Sequence, residues 1–407
     1  MTGTPLSVIV VSRHRAAALK RCVIALHQQD HTMMEIIVVA DPAGLASVSC
    51  AEWQIKTAAF DEANISAARN IGLGLASGTV VAFIDDDAVP EPSWASRLCA
   101  PFADNSVVAA TGFVRGRNGI SYQWRSSEVD AEGVDHPLAV DEEGVTLWPG
   151  SRARAIKTQG TNCAFRSGVL RQIGGFDPAF RFYLDEADVN LRLAPFGATA
   201  IVPMAQVHHG FLASDRRRAD RVPMSLREIA ASTAVFLRRH APERLQKGKN
   251  RLLQSERRRV LGHMIAGRLE PRDTDRLMRS LMQGWADGLS RPVSEPASPT
   301  GQPPPFLPTQ TLGPRDGVLI VGRKSEWADL KAKAITAVAA GSIVTVFCLS
   351  FGWRRHVHAF QPEGFWLQTG GLWGRSDRDI RPQTGASLPE RVQTEASRWA
   401  AFRPIIG

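Results

Sequence analysis

The strongest constraint on this chain is a series of short, almost continuous apolar runs separated by helical patterns. Ser7-Val8-Ile9-Val10-Val11, Glu35-Ile36-Ile37-Val38-Val39 and Val80-Val81-Ala82-Phe83-Ile84 show no polar alternation. Strands of this kind have no solvent face, so they belong in a mostly parallel sheet covered by helices on both sides. Between them, Leu19, Val23, Ile24 and Leu26 give a helical face running to Gln29, Asn64 to Ser77 predicts a second helix, and Pro92 to Phe102 a third. This alternation over residues 5 to 210 predicts an α/β layer fold with its functional groups beyond the carboxyl ends of the strands.

Two of those ends are acidic. Asp41 follows the second run, and Asp85-Asp86-Asp87 follows the third in AFIDDDAVP. A solvated turn can hold three adjacent carboxylates, but their mutual repulsion also makes them a site for a divalent cation. A second acidic group lies in YLDEADVNLRL, residues 183–193. As a helix, this places Asp185 and Asp188 on one edge and points Glu186 elsewhere. Acids in a first helical turn also complement the helix dipole, so this group alone proves little. Gly72-Leu73-Gly74-Leu75-Ala76-Ser77-Gly78 follows a helix and precedes a strand, the reverse of a dinucleotide-binding loop.

After residue 215 the pattern changes. Residues 216–290 read as helices without strands, with apolar faces through Leu226, Ile229 and Phe236, through Leu252, Val260 and Leu261, and through Leu277, Leu281 and Trp285. The net charge of +9 is concentrated here. Residues 216 to 279 hold 18 Lys and Arg against 7 Asp and Glu, leaving the rest of the chain at −2. Such a surplus favours an anionic partner, and no aromatic RNA-binding motif accompanies it, so nucleic acid is not expected. Residues 291–314 are rich in Pro, Ser and Thr and read as a semi-extended linker. Residues 315–407 form a small α/β module of unassigned role, whose aromatics Phe351, Trp353, Phe360, Phe365, Trp366 and Trp373 are expected in its core. Ala334 to Trp353 is uncharged and nominally long enough to span a bilayer, but Gly341-Ser342 divides it into helix, stop and strand. Five scattered cysteines, never spaced Cys-x-x-Cys, and an apolar N-terminus without a preceding basic region predict a reducing, cytoplasmic setting.

Taken in order, AFIDDDAVP, Gln159-Gly160-Thr161-Asn162-Cys163-Ala164-Phe165-Arg166, Ile173-Gly174-Gly175-Phe176-Asp177, YLDEADVNLRL and Pro203-x-Ala205-x-Val207-His208-His209 resemble the family-two glycosyltransferases of the GT-A fold. The resemblance covers about residues 5 to 210. It implies a GT-A-like, Rossmann-type sandwich over residues 1–215, ahead of the helical segment and the C-terminal module. It also implies an inverting transfer of sugar from a nucleoside-diphosphate sugar to a hydroxyl on a saccharide or lipid-linked acceptor, as in surface polysaccharide or glycolipid synthesis. Asp85, Asp86 and Asp87 resemble that family's DXD region, with Asp87 matching the ligand of Mg²⁺ or Mn²⁺, Asp86 the ribose or neighbouring position, and Asp85 shaping the turn. Asp41 resembles the acid that binds base or ribose, and Arg69 and Asn70 the segment contacting the base. His208 or His209 is implied to complete the metal shell. The general base matches Glu186, with Asp185 a rival because the family commonly reads Glu-Asp where this chain reads Asp-Glu. Asp188 and Arg192 are implied to be structural or acceptor-side partners.

The chain departs from the family pattern at Ser12-Arg13-His14-Arg15, where a Pro-Thr-x-Asn-like sequence is usual, and at Ala40, which replaces the first acid of a usual Asp-Asp pair. The nucleotide is therefore left open. A sugar nucleotidyltransferase is the nearest enzymatic alternative, although its Gly-rich N-terminal loop is absent. A non-catalytic glycan- or membrane-binding protein on the same fold is the other. The basic helical segment suits an anionic membrane surface, which would make the protein peripheral on the inner membrane face.

Overall fold

The structure is a computed structural model describing residues 3–212, 216–293, 296, 301–310 and 313–405. Its central sheet begins with four parallel strands. β1 (Leu6–Ser12) lies between β2 (Met34–Ala40) and β4 (Val80–Asp85), and β3 (Ile55–Ala59) extends the sheet beyond β2. Alternate residues bury opposite faces. Leu6, Val8, Val10, Ile36 and Val38 pack on Leu19, Val23 and Leu26 of α1 (Ala16–Leu26), while Ile9, Ile37, Val81 and Phe83 pack on Leu73 of α3 (Ile65–Leu75). This two-sided burial is why the runs lack polar alternation. Asp41 caps α2 (Pro42–Val48) and Asn64 caps α3.

The sheet continues through β5 (Ala88–Pro90), β6 (Val107–Arg115), β7 (Tyr122–Trp124), β10 (Thr146–Trp148), β12 (Cys163–Arg166) and β13 (Ala198–His209), while β8 (Ser127–Asp130), β9 (Asp135–Pro137) and β11 (Arg154–Ile156) form a separate small sheet. The main order is β10-β13-β6-β12-β4-β1-β2-β3, with β12 antiparallel to both neighbours and β13 parallel to β6. The expected α/β sandwich with a mostly parallel sheet is therefore present. α4 (Trp94–Cys99) is shorter than the expected helix, which tightens into a 3₁₀ turn over Ala100–Ala103 at Pro101, a residue without an amide donor. α5 (Ser167–Gln172) and α6 (Asp185–Leu193) complete this part.

Helices α7 (Arg227–His240), α8 (Leu245–Ile265) and α9 (Pro271–Ser290) follow, and α7 inserts Val235 and Phe236 against Phe180, Leu184 and Ala187. Part of the Pro-rich stretch, at 294, 295, 297–300, 311 and 312, lies outside the described residues. The described part, 301–310, has no regular secondary structure and is tied to the sheet. Fully buried Glu35 accepts from Lys56 Nζ at 2.8 Å, Ser7 Oγ at 2.6 Å, the Ser77 amide at 2.8 Å and the Leu307 amide at 2.9 Å. The Thr309 amide donates to the Met34 carbonyl at 2.7 Å. One buried carboxylate thus anchors this strap.

The C-terminal module is a four-stranded sheet, β14 (Gly317–Arg323), β15 (Ile343–Ser350), β17 (Trp366–Gly371) and β16 (Val357–Phe360) in that order, with α10 (Trp327–Ala339) and α11 (Leu388–Ala400). Ala334 to Trp353 is the end of α10, a turn at Gly341 with φ 93°, and β15. Among the described residues no helix is long and apolar enough to cross a membrane, and all five cysteines are free. Phe360, Phe365 and Trp366 are core residues as expected, whereas Phe351 and Trp353 are 68% and 57% exposed.

A buried polar seam joins this module to the first sheet. Glu91 Oε1 accepts from His208 Nε2 at 2.7 Å and from Arg403 at 3.2 Å, and Arg403 donates to His358 Nε2 at 2.7 Å. The His358 ring stacks on Trp399 at 4.0 Å. Because a guanidinium can only donate, His358 Nε2 is an acceptor and the ring is neutral. Burial, then the nearby Arg403, His208 and Arg115, hold the His358 pKa well below its ordinary value. Protonation is therefore favoured in the unfolded chain, and the His358 contribution to stability, complete above the unfolded value near 6.5, is lost as pH falls below it. Thermal or urea unfolding followed from pH 7.5 to 5 should show stability falling on acidification. His358→Phe should make that fall shallower by up to about 1.4 kcal/mol per pH unit.

Candidate active site

The carboxyl ends of β1, β2 and β4 and the end of β13 meet at one edge of the sheet, so Ser12, Asp41, Asp85 and His209 border a common space. The three aspartates after β4 diverge there. Asp86 turns inward, where it accepts from Ser12 Oγ at 2.7 Å and pairs with Arg15 at 2.7 Å. Its burial pushes the carboxyl up to about 7, with Arg15 opposing and Asp87 adding to the shift. Asp86 therefore fastens the loop after β1 to the strand end and offers nothing to a ligand in the open space.

Asp85 and Asp87 point the other way and converge with His209. One potential ligand atom from each lies within 4.8 Å of the other two. Asp87 Oδ2 accepts the Leu212 amide at 2.9 Å and faces Arg15 at 3.3 Å, while Oδ1 lies 3.4 Å from His209 Nε2. Burial acts against ionisation of Asp87, but the bond and charge of His209, Arg15 and the Leu212 amide outweigh it and keep the carboxyl well below its usual range. Asp85 is raised, chiefly by burial and also by Asp87, with Arg69 opposing. His209 Nδ1 faces Gln123 Oε1 at 3.1 Å and donates to it, so Nε2, the atom beside Asp87, is the one that can turn a lone pair to a cation in place of a proton. Two carboxylate oxygens and one imidazole nitrogen fit Mg²⁺ or Mn²⁺. Asp85 thus stands with Asp87 and His209 as a candidate ligand.

His208 does not join this group. Strand alternation sends it to the opposite face, where it is bonded to Glu91 and burial lowers its pKa to about 4. Asn70 is likewise spent elsewhere: its side chain donates to the Phe176 carbonyl at 2.6 Å and accepts the Phe176 amide at 2.9 Å. It holds the Gly174-Gly175-Phe176 turn. Asp41 accepts the His14 amide at 2.7 Å and the Gly44 amide at 3.3 Å, bonds that keep it ionised against the cost of burial. It shapes the loop over the strand ends.

Arg69 lies between the two acidic groups. It is 2.5 Å from Asp185, 3.3 Å from Glu186 and 3.7 Å from Asp85, and donates to the Gly160 carbonyl at 3.1 Å. Phe83 and Phe176 lie 5.7 and 5.1 Å from its guanidinium carbon. The close approach of Glu186 and Arg69 explains Gly160, where an added Cβ would sit 1.7 Å from Glu186 Oε1 and 2.7 Å from the Arg69 guanidinium. Asp185 is 3% exposed at its side chain and Glu186 19%. Burial and the adjacent Glu186 raise Asp185, whereas Arg69 overcomes the burial of Glu186 and keeps it ionised. Asp188 pairs with Arg192 at 2.7 Å, Arg239 at 2.8 Å and His240 at 2.9 Å, tying α6 to α7, and Arg192 also donates to the Ile173 and Gly175 carbonyls. Both are structural. Arg15 and Gln123 were not expected. A cation just after the first strand was the visible hint of Arg15, and nothing in the sequence marks Gln123.

Removing Arg69 would leave Asp185 and Glu186 buried without a counter-charge. Arg69→Met should lower unfolding free energy by about 3–5 kcal/mol in urea titrations. Arg69→Lys, which keeps the charge without the fork, should fall between the two.

Residues 7–173 match the family model described as glycosyl transferase family 2. A glucosyl-dolichyl phosphate glucuronosyltransferase of Haloferax volcanii is 32% identical over 114 residues, 28% of this chain and 34% of that protein. A pre-mycofactocin glycosyltransferase of Mycobacterium tuberculosis is 26% identical over 213 residues, 50% of this chain and 42% of that one. The matches thus span between a third and a half of these relatives' lengths. Among solved structures, GalNAc-T7 with UDP, GalNAc and Mn²⁺ superposes with a TM-score of 0.44 at 14% identity, covering 58% of this chain and 48% of that one. The segment that is similar to this family, residues 7–173, carries the ends of β1, β2 and β4 and the acidic triplet described above.

Proposed function

We propose that the protein transfers a sugar from a nucleoside-diphosphate sugar to an acceptor hydroxyl with inversion at the anomeric carbon. The observation that carries this reading is the convergence of Asp85, Asp87 and His209 on one side of Arg69, with Glu186 on the other. Mg²⁺ or Mn²⁺ held by Asp85, Asp87 and His209 would offset the diphosphate charge and the charge that grows on the departing nucleoside diphosphate. Glu186, ionised and the more accessible carboxylate of its pair, takes the proton of the acceptor hydroxyl as that oxygen bonds to the anomeric carbon and the bond from that carbon to the phosphate oxygen breaks. Asp185 holds Arg69 in place, and Arg69 in turn sets the position of Glu186. The acceptor is a saccharide or lipid-linked molecule. Arg257 and Arg258, exposed on α8, suit association with an anionic membrane that would present the latter.

A thermal-shift panel of UDP-, GDP- and dTDP-sugars with Mn²⁺ should identify a donor, and Asp87→Ala should abolish the metal-dependent shift. A shift that persists unchanged in Asp87→Ala would refute the metal assignment. With that donor, Glu186→Gln should keep binding and lose at least about 10²-fold in transfer. If Asp185→Asn does this while Glu186→Gln stays active, the base is Asp185.

A further inference from the structure

Beside the acidic site lies a basic cavity that the transfer step as proposed does not use. It measures about 420 Å³ and is lined by Arg217, Asp220 and Arg221 from the loop after β13 and by Arg259, His263 and Arg268 from α8 and the turn beyond it. Four guanidinium groups share the space with one carboxylate, and that carboxylate is already paired, 2.9 Å from Arg218. Arg259 reaches Glu256 of its own helix at 3.1 Å. Among the described residues no carboxylate lies within ion-pair distance of Arg217, Arg221 or Arg268. Burial first and the neighbouring cations second lower Arg217, Arg221 and His263, with Asp87 opposing at Arg217 and Asp220 at His263. A bound anion would offset the positive charge gathered here.

The cavity adjoins the candidate metal group through Phe211. The Phe211 ring lies 4.5 Å from that of His209, and the Arg221 guanidinium lies 4.7 Å from the Phe211 ring. Arg217 is near enough for the charges of Asp87 and Arg15 to act on it. Asp41 and the His14 loop stand over β1 and β2, four and five strands from β13 in the sheet order. A donor diphosphate seated at Asp87 with its nucleoside toward β2 would therefore extend away from the cavity.

We propose that this cavity binds a phosphate group carried by the acceptor. That it is the acceptor's phosphate rests on the donor-site reading above. That the cavity takes phosphate does not. Arginine forks suit phosphate oxygens, and two or more guanidinium groups can share one phosphate.

The test uses the full chain with inorganic phosphate in EDTA, followed by calorimetry or ³¹P line broadening, and separately with UDP and GDP in Mn²⁺. Wild type should bind inorganic phosphate without metal. Removing two cations in Arg221→Gln/Arg268→Gln should weaken that binding about tenfold or more, as expected for charge-assisted bonds. Arg272→Gln, which removes an exposed charge outside the cavity, should leave it unchanged. Nucleoside-diphosphate binding should be the same in the double variant as in wild type. No phosphate binding by wild type, or binding equal in the double variant, would overturn the proposal. Parallel loss of nucleoside-diphosphate affinity would give the cavity to the donor and overturn the acceptor assignment. Phosphate binding without nucleoside-diphosphate binding in wild type would uphold the cavity and refute the donor-site reading alone. Should the double variant differ from wild type by circular dichroism, Arg268→Gln on its exposed turn carries the same test.

Discussion

The site depends on one buried guanidinium. Arg69 comes from α3, yet its partners come from the end of β4, the start of α6 and the Gly160 turn before β12. Without it, burial would set the carboxylates at the end of β4 and the start of α6 against one another. With it, they sit together around one cation, and Glu186, the more accessible carboxylate of the α6 pair, stays ionised. A charge that is costly to bury alone thus becomes the join between a sheet edge and a helix start. The two phenylalanines against its plane, Phe83 and Phe176, also belong to the sheet core, so the position of the cation is set by packing as well as by charge.

A second buried network holds the molecule together at larger scale. Glu91, His208, His358 and Arg403 come from both sheets and the C-terminal end, and Trp366 and Trp399 enclose them. The Pro-rich strap reaches the first sheet through Glu35 and Met34. Adjacent histidines on β13 therefore serve different ends: His209 faces the candidate metal group and His208 the seam. The strand that completes the site is also the strand on which the C-terminal module rests.

Much of the fold was legible because two-sided burial leaves an unmistakable trace: the runs at Val8, Ile36 and Val80 predicted a covered parallel sheet, and Gly341 predicted a stop instead of a membrane span. The acidic clusters were legible as chemistry but not as geometry. Sequence adjacency cannot say that Asp86 turns inward to Ser12 while its two neighbours turn outward, because that depends on which partner waits across the strand. Asn70 sits beside Arg69 in sequence, but on a helix adjacent residues face different ways, and it serves the Phe176 turn. Gln123 came from a short strand on the far side of the sheet, with no local pattern to mark it. Phe351 and Trp353 are exposed because they lie at and beyond the end of β15, where the core they were assigned to has ended.

Among the described residues, the non-glycine positions with positive φ are His14 at 58°, Tyr183 at 76°, Leu184 at 63°, Phe211 at 55° and Arg221 at 71°. Each borders the acidic site or the basic cavity beside it: His14 over Asp41, Tyr183 and Leu184 before Asp185, Phe211 after His209, and Arg221 in the cavity wall. Such conformations cost of order 1–3 kcal/mol each and persist only where the surroundings impose them. The rim of the site is thus a stressed ring on a relaxed frame. Any loosening of the frame, by heat, acid or a distant cavity-forming substitution, would let the rim spring to ordinary backbone geometry first, so the molecule would lose the shape of its site while most of its sheet was still intact.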